Sequence, residues 1–461
     1  MNRLRTSVAA TYLALCLLLG GASAGGALAN GLLQALALPI ILLHVWARGA
    51  PPLAREGRWL VGVFFVFAAV AAVQLIPLPT QFWASLPGRE TTVRSLALLG
   101  VSPESMAASL DPRRTFASML WLLPPAAMFL VATRLTRNER SVVARVLLAV
   151  AVVSIAFGAI QLFDGGQSHL YEITTANRSV GFFANANHLG TLLLCSLPFA
   201  ALFMARADRT RGSSSGRGEG RGVIYAAIAV FIGIGIALNG SLAAYGLLIP
   251  TTVGSFLLYR RTADKALGPK AWGALGSATV LVVAFSALGP LAGERFASKF
   301  DDSNPLGRKI SIPTTLTAAE DFFPLGSGLG TFRDVYRTYE TIEEITPFFV
   351  NHAHNDYAEV ALELGLPGLL ALIGFLLWWV SQSWKAWRRK YDGVALARAG
   401  SIAIGVVVFH SLVDYPIRTS AIAALVALSA AFLIQPPAAR RERSGGRARQ
   451  SGVRHMDAEE V

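Results

Sequence analysis

Stretches of about 20 apolar residues recur along nearly the whole chain, and this feature limits the fold more than any other. A helix of that length crosses the hydrocarbon core of a membrane, where water cannot satisfy backbone polar groups. The composition agrees, because 53% of the 461 residues are hydrophobic and only 15% are charged. The sequence therefore predicts an all-α polytopic membrane protein.

We count twelve such runs and interpret each as a transmembrane helix. They comprise residues 7–26, 28–47, 59–77, 116–133, 141–163, 187–205, 223–239, 241–259, 271–289, 366–384, 394–413 and 419–435. The first run also fits a cleavable signal peptide, because Arg3 and Arg5 precede it and small residues follow it. We expect an uncleaved helix there, and one long loop between the ninth and tenth spans.

This count divides the chain into five segments. They are residues 1–150 with helices 1–5, residues 151–289 with helices 6–9, a large loop at 290–365, residues 366–435 with the last three helices, and a basic tail at 436–461.

Charge predicts the orientation, because Lys and Arg accumulate in cytoplasmic loops. With both termini in the cytoplasm, most of the 41 Lys and Arg residues lie on the cytoplasmic side. The net charge of +13 is then a signal of topology rather than of nucleic-acid binding, and the Arg-rich residues 440–454 are expected to contact the membrane surface. The long loop is expected in the periplasm of a bacterium, with the protein in the inner membrane. Cys16 and Cys195 fall inside predicted spans and indicate packing rather than a disulfide.

Residues 351–368, with the sequence NHAHNDYAEVALELGLPG, gather ionisable side chains in this mostly apolar chain. Asp356 followed by Glu359 has the spacing of a capping box and predicts the start of a short helix. Gly365 is expected to end that helix, and Pro367 to stand in the first turn of the next span.

His354 stands just before this predicted helix, where the helix dipole disfavours the imidazolium and attracts an anion. These properties suit a general base beside a phosphate group. Two alternatives stay open. His352 and His354 form an H-x-H pair of the kind that binds metal, although no third ligand has a recognisable spacing, and a histidine can also cap the helix or bond the loop backbone.

Two further motifs lie in the long loop. A glycine-rich turn at residues 326–330 lacks the strand and helix of a nucleotide site, so glycines that permit a sharp turn are the simpler interpretation. Arg333 and Arg337 are spaced i, i+4, which is more often a solvated helix face than a binding site.

Several motifs together resemble the O-antigen ligase and polymerase superfamily of bacterial envelope glycan assembly. Its H-N-x-Y segment with a following E-x-G is similar to residues 354–357 and 363–365 here. Other similar pieces occur in the same order: GFFANANHLG at 181–190, GRKISIPTTL at 307–316, PLGSGLGTF at 324–332 and HSLVDYPIRT at 410–419. The resemblance covers roughly residues 150–430.

The resemblance implies an activity without metal or nucleotide cofactor. An undecaprenyl-diphosphate-linked glycan is the implied donor, and lipid A core or a growing lipid-linked glycan is the acceptor. It also implies membrane lipids and other polysaccharide assembly proteins as partners. The family's loop histidine falls on His354, and its loop arginine, a diphosphate ligand, on Arg308.

One departure concerns a family arginine that follows a serine in mid-chain, because Leu242 follows Ser241 here. Arg178 and Arg418 are the candidates to replace it as diphosphate ligands. The residues expected to contact substrate or support the site are Asn187, Asn355, Asp356, Glu359, His410 and Asp414.

A polysaccharide transporter or flippase is the main alternative function, and a non-catalytic assembly partner is another. A transporter should contain internal repeats and ionisable residues near the bilayer midplane. No convincing repeat is visible, and polar residues such as His410, Asp414 and Arg418 cluster near the ends of spans. These observations favour the transferase.

Overall fold

The computed structural model describes residues 2–24, 26–45, 52–164, 167–175, 178–209, 217–263, 308–342, 345, 349–389 and 392–436. The predicted span at 271–289, residues 290–307 of the long loop and residues 437–461 of the basic tail lie outside the described residues.

Helices make up most of the described chain. The first half contains α1 (Asn2–Leu19), α2 (Ala27–Val45), α3 (Arg55–Val73), β1 (Pro77–Pro79), α4 (Thr80–Ala84), α5 (Glu90–Leu99), β2 (Ser105–Ala107), α6 (Pro112–Leu120), α7 (Leu123–Thr133) and α8 (Arg137–Phe163). The second half contains α9 (Ala186–Arg209), α10 (Arg217–Asn239), α11 (Leu242–Ala263), α12 (Arg308–Asp321), α13 (Phe332–Tyr336), α14 (Asp356–Arg388), α15 (Ala395–His410) and α16 (Ser420–Leu433), with 3₁₀ turns at Asp392–Val394 and Pro416–Arg418. The two short strands pair antiparallel, with Leu78 opposite Met106.

Eight helical segments of the described residues are long and apolar enough to cross a membrane. They are Ala27–Val45, Arg55–Val73, Pro112–Thr133, Arg137–Phe163, Ala186–Arg209, Gly220–Asn239, Leu242–Ala263 and Asp356–Arg388. Helices α15 and α16 are apolar but shorter, and α1 ends at Leu19, well before the predicted end of the first span. The helical, multi-pass membrane class is thus confirmed, whereas the count of twelve spans is not.

Helix α9 lies at the centre of the bundle and packs against α8, α10, α11 and α15. Every residue from 186 to 196 is buried, as expected of a helix that meets other helices on all sides. Gly190 permits the close approach of α11, because a Cβ atom there would lie 2.8 Å from the Cβ of Ala244. The polar residues near the start of α9 are therefore held inside the protein.

A break in α14 at Gly365 joins this helix to the glycine-rich turn. Gly365 has φ 57° and ψ −148°, a conformation that glycine adopts without strain, so the predicted interruption is confirmed. The Leu362 carbonyl accepts a hydrogen bond from the N–H of Ser327 at 2.9 Å, and the Glu363 carbonyl accepts one from Gly328 at 3.0 Å. The glycine-rich turn is therefore a structural support for the helix break, a role that the sequence did not predict.

Candidate functional site

The candidate site forms where four distant parts of the chain meet at one end of the bundle. These parts are the start of α9, the start of α12, the loop that leads into α14 and the loop after α15. We call the group that they bring together the site cluster, and it comprises Asn187, His188, Arg308, His354, His410 and Asp414.

Asp414 lies at the centre of the site cluster, with no exposed side-chain surface. Its Oδ2 accepts a hydrogen bond from the side-chain amide of Asn187 and lies 3.7 Å from a guanidinium nitrogen of Arg308. Its Oδ1 accepts a hydrogen bond from the N–H of Tyr415 at 2.9 Å and lies 3.5 Å from Nδ1 of His354. One carboxylate therefore connects the predicted base to the predicted phosphate ligand.

Burial alone would raise the pKa of Asp414, but the neighbouring His354, His188 and His410 lower it well below its usual range. Asp414 is accordingly a carboxylate at neutral pH. Its negative charge favours a proton on the Nδ1 atom of His354, and that tautomer leaves a lone pair on Nε2.

The backbone at His354 holds the imidazole in this position. Its φ is 52°, and within the described ranges it is the only residue other than glycine with a positive φ. Such a conformation is uncommon for a side-chain-bearing residue, and it is often found where a functional group must be aimed precisely. The side chain is 26% exposed, and its ring centroid lies 5.1 Å from that of Tyr415. The imidazole is therefore only partly covered by the rest of the protein.

The start of α14 differs in one detail from the prediction. Asn355 rather than Asp356 is the N-cap, because its side-chain oxygen accepts hydrogen bonds from the N–H groups of Tyr357 and Ala358. The capping-box prediction was therefore wrong by one residue, although it located the helix start correctly. Asp356 instead accepts a hydrogen bond from the hydroxyl of Ser411 at 2.7 Å.

His352 has a different environment from His354. Its Nδ1 lies 2.7 Å from Oε1 of Glu359, whose other oxygen accepts a hydrogen bond from the N–H of Ala353. Its ring lies 4.4 Å from that of Tyr415. The two histidines thus take separate carboxylates, and no group of three metal-binding side chains occurs in the part of the chain that the structure describes.

Arg308 and Arg418 differ in their exposure and in the number of carboxylates around them. Arg308 begins α12 with 31% of its side chain exposed, and its Nε has no hydrogen-bond partner in the described structure. Arg418 lies 3.5 Å from Asp356, 3.2 Å from Glu359 and 2.8 Å from Glu363. Burial would lower the pKa of Arg418, but these three carboxylates raise it above its usual value. Arg418 is therefore enclosed by carboxylates, whereas Arg308 is partly exposed.

Arg178 reaches the turn that lacks the family arginine. Its guanidinium donates a hydrogen bond to the Gly240 carbonyl at 3.2 Å. In the same turn, the hydroxyl of Ser241 donates to Oδ1 of Asn187 at 2.7 Å, and Asn187 in turn contacts Asp414. The tertiary structure thus brings an arginine from a different part of the chain to the carbonyl of Gly240, two residues before Leu242.

Sequence reasoning missed two members of this region, His188 and Tyr415. His188 is 1% exposed, and neither of its ring nitrogens has a hydrogen-bond partner among the described residues. Tyr415 contacts the rings of His188, His352 and His354. An ionisable residue inside an apolar span is a usual sign of function, and His188 offered that signal. His410, which was predicted, bonds the hydroxyl of Thr191 at 2.8 Å.

Comparison with known proteins supports the resemblance seen in the motifs. Residues 226–373 match a family model described as O-antigen ligase. A search of curated proteins finds no match for the chain. The matched region contains Arg308 and His354, whereas Asn187, Asp414 and Arg418 lie outside it. This chain therefore carries, at residues 226–373, the O-antigen ligase region of the O-antigen ligase and polymerase superfamily.

Proposed function

We propose that this protein transfers a glycan from undecaprenyl diphosphate to a hydroxyl acceptor, with His354 as the general base. The observation that carries the proposal is the arrangement of His354, Asp414 and Arg308. One buried carboxylate places a strained, accessible histidine beside a partly exposed arginine. Glycan transfer from a diphosphate needs these two functions close together, a base for the acceptor and a cation for the leaving group.

The proposed reaction is a single displacement at the anomeric carbon. The acceptor hydroxyl gives its proton to Nε2 of His354 as its oxygen bonds to the anomeric carbon. The bond from that carbon to the diphosphate oxygen breaks, and the electron pair leaves with the diphosphate. Asp414 stabilises the imidazolium that forms, and the configuration at the anomeric carbon is inverted.

Arg308 is the proposed first ligand of the diphosphate, and Arg178 the second. A diphosphate drawn into a partly buried site needs cationic partners, and arginine binds phosphate with two parallel hydrogen bonds. The contact of Arg178 with Gly240 supports this choice, because it places the side chain at the turn where the family arginine is missing. We assign Arg418 to the support of α14 rather than to the donor, because three carboxylates already surround it.

Transfer between a purified lipid-linked donor and acceptor in vesicles tests the proposal. His354→Ala should lower transfer by about 10²–10⁴-fold, the usual contribution of a general base, at normal protein abundance. His352→Ala should have a milder effect, because its ring supports the loop through Glu359. Equal and complete loss in both variants, with zinc in the purified protein, would favour the metal interpretation.

The same assay tests Arg178. A diphosphate ligand should lose transfer in both Arg178→Lys and Arg178→Ala, because lysine keeps the charge but not the planar fork. An arginine that only anchors the loop at the membrane surface would tolerate lysine, and that result would remove Arg178 from the site.

A further inference from the structure

Three arginines beside the candidate site take no part in the proposed transfer. We call Arg114, Arg333 and Arg337 the arginine cluster. The Cζ atom of Arg333 lies 3.7 Å from the centroid of the Phe349 ring, and that of Arg337 lies 5.9 Å from the same centroid. Two guanidinium groups therefore share one aromatic ring.

In the described part of the chain, carboxylates pair with only one of these three arginines. Nε of Arg114 pairs with Asp334 at 2.7 Å and with Asp111 at 3.3 Å, which engages both carboxylates. Among the described residues, neither Arg333 nor Arg337 forms an ion pair. Burial, followed by the charges of Arg337 and Arg114, lowers the pKa of Arg333, and the charge of Asp334 offsets part of this effect. A bound anion would relieve the repulsion among the positive charges of Arg114, Arg333 and Arg337.

Arg333 also differs from an arginine on a solvated face. Its Nε is buried and has no hydrogen-bond partner in the described part of the chain. A buried donor without an acceptor is unfavourable, because the bond that it made to water is not replaced. The buried Nε of Arg333 is therefore a feature of the pair Arg333 and Arg337 that a solvated helix face does not explain.

The cluster is held close to the candidate site by a series of contacts. Helix α13 begins at Phe332, whose N–H donates to Oε1 of Glu363 at 3.2 Å. The Phe332 ring lies 6.4 Å from that of His352, which in turn lies 4.4 Å from the ring of Tyr415. Tyr415 also contacts His354. Three packed rings, those of Phe332, His352 and Tyr415, thus link α13, which carries Arg333, to His354.

We propose that the arginine cluster binds an oxyanion of the glycan, a carboxylate or a phosphate, and so selects acidic glycans at this site. Arginine forks suit both groups, because each can accept two parallel hydrogen bonds. This inference rests on the proposed transfer function. To that function it adds the chemical class of the glycan. It adds a specificity-determining site at a distance from the reacting atoms.

Binding of short sugars to the purified protein in lipid nanodiscs tests the inference without any donor. The probes are maltotriose, maltotriose 6-phosphate and a trisaccharide that contains glucuronic acid. The wild type should bind at least one acidic probe more tightly than maltotriose. Combined Arg333→Gln and Arg337→Gln should reduce that preference by about tenfold or more, because hydrogen bonds between charged groups are lost.

Arg113→Gln is the matched control, because Arg113 is an exposed arginine next to Arg114 on α6. It should leave the preference unchanged. Combined Arg333→Lys and Arg337→Lys should give an intermediate result, since the charge remains and the fork is lost. A single symmetric peak in size-exclusion chromatography for each variant excludes misfolding as the cause.

Equal affinity of the wild type for all three probes would overturn the inference, as would an unchanged preference in the glutamine variant. Preference for only one acidic probe would identify the anion as phosphate or carboxylate. Because no donor is present, the two proposals can fail separately. A protein that prefers acidic sugars but transfers no glycan would contradict the proposed function alone, and one that transfers glycan without this preference would contradict the arginine site alone.

Discussion

Asp414 contacts His354, Arg308 and Asn187 through its two carboxylate oxygens, so a change of this one side chain affects three others. Asp414→Asn keeps the size of the side chain and removes its charge. We expect kcat for transfer to fall by about 10²–10⁴-fold, because the base loses the group that orients it and stabilises its imidazolium. KM for the donor should change much less. Steady-state kinetics with a lipid-linked donor measure both values.

Asp321→Asn is a suitable control for this substitution, because Asp321 is exposed and its carboxylate bonds the hydroxyl of Tyr339 rather than the site cluster. A loss of transfer below tenfold in Asp414→Asn would contradict the positioning role.

The pH dependence of stability gives an independent test of the charge on Asp414. Since the folded-state pKa of Asp414 is lowered, its charge stabilises the protein above the ordinary aspartate pKa of about 3.9, and this stabilisation is lost on acidification. The Tm difference between wild type and Asp414→Asn should therefore narrow below about pH 4.

At the scale of elements, the break in α14 connects the membrane-spanning part of the helix to the candidate site. Gly365 has a positive φ, and a Cβ atom there would lie 2.1 Å from the Pro324 carbonyl oxygen. Gly365→Ala should therefore destabilise the protein, by about 1–3 kcal/mol from backbone strain and further from the clash. Gly62→Ala is the control, because no atom lies within 4 Å of the added Cβ. Thermal unfolding followed by fluorescence-detected chromatography compares the two, and equal Tm values would refute the role of the break.

At the scale of the whole molecule, the orientation in the membrane decides whether the site can meet its substrates. The excess of Lys and Arg in one set of loops predicts a cytoplasmic N-terminus and a periplasmic His354. A reporter that is active only in the periplasm should be active when fused after Ser303 and silent when fused after Ser214. The reverse pattern would place His354 in the cytoplasm and rule out the proposed mechanism, because the proposed transfer takes place at the periplasmic face.

Much of the architecture could be predicted because its signals are local. A span requires a run of apolar residues, and the break at Gly365 follows from a glycine between two helical patterns. His354 and Arg308 were proposed from short motifs and from the family that these motifs resemble, and their roles stay predictions. The count of twelve spans was less secure, because α15 and α16 are shorter than a full crossing and apolar length was its only basis.

The sequence by itself determined the membrane class and the helix break, and it suggested the candidate base, since each depends on residues that are neighbours in the chain. Only the tertiary structure decided which charged side chains contact one another. It placed Asp414 against His354 and Arg308, enclosed Arg418 among three carboxylates, and brought Arg178 to the turn at Gly240. Such pairs depend on how α9, α14 and α15 pack against one another, and helical periodicity describes one helix at a time. The physical reason is that an ion pair is set by distance in space, which the spacing of residues along the chain does not specify.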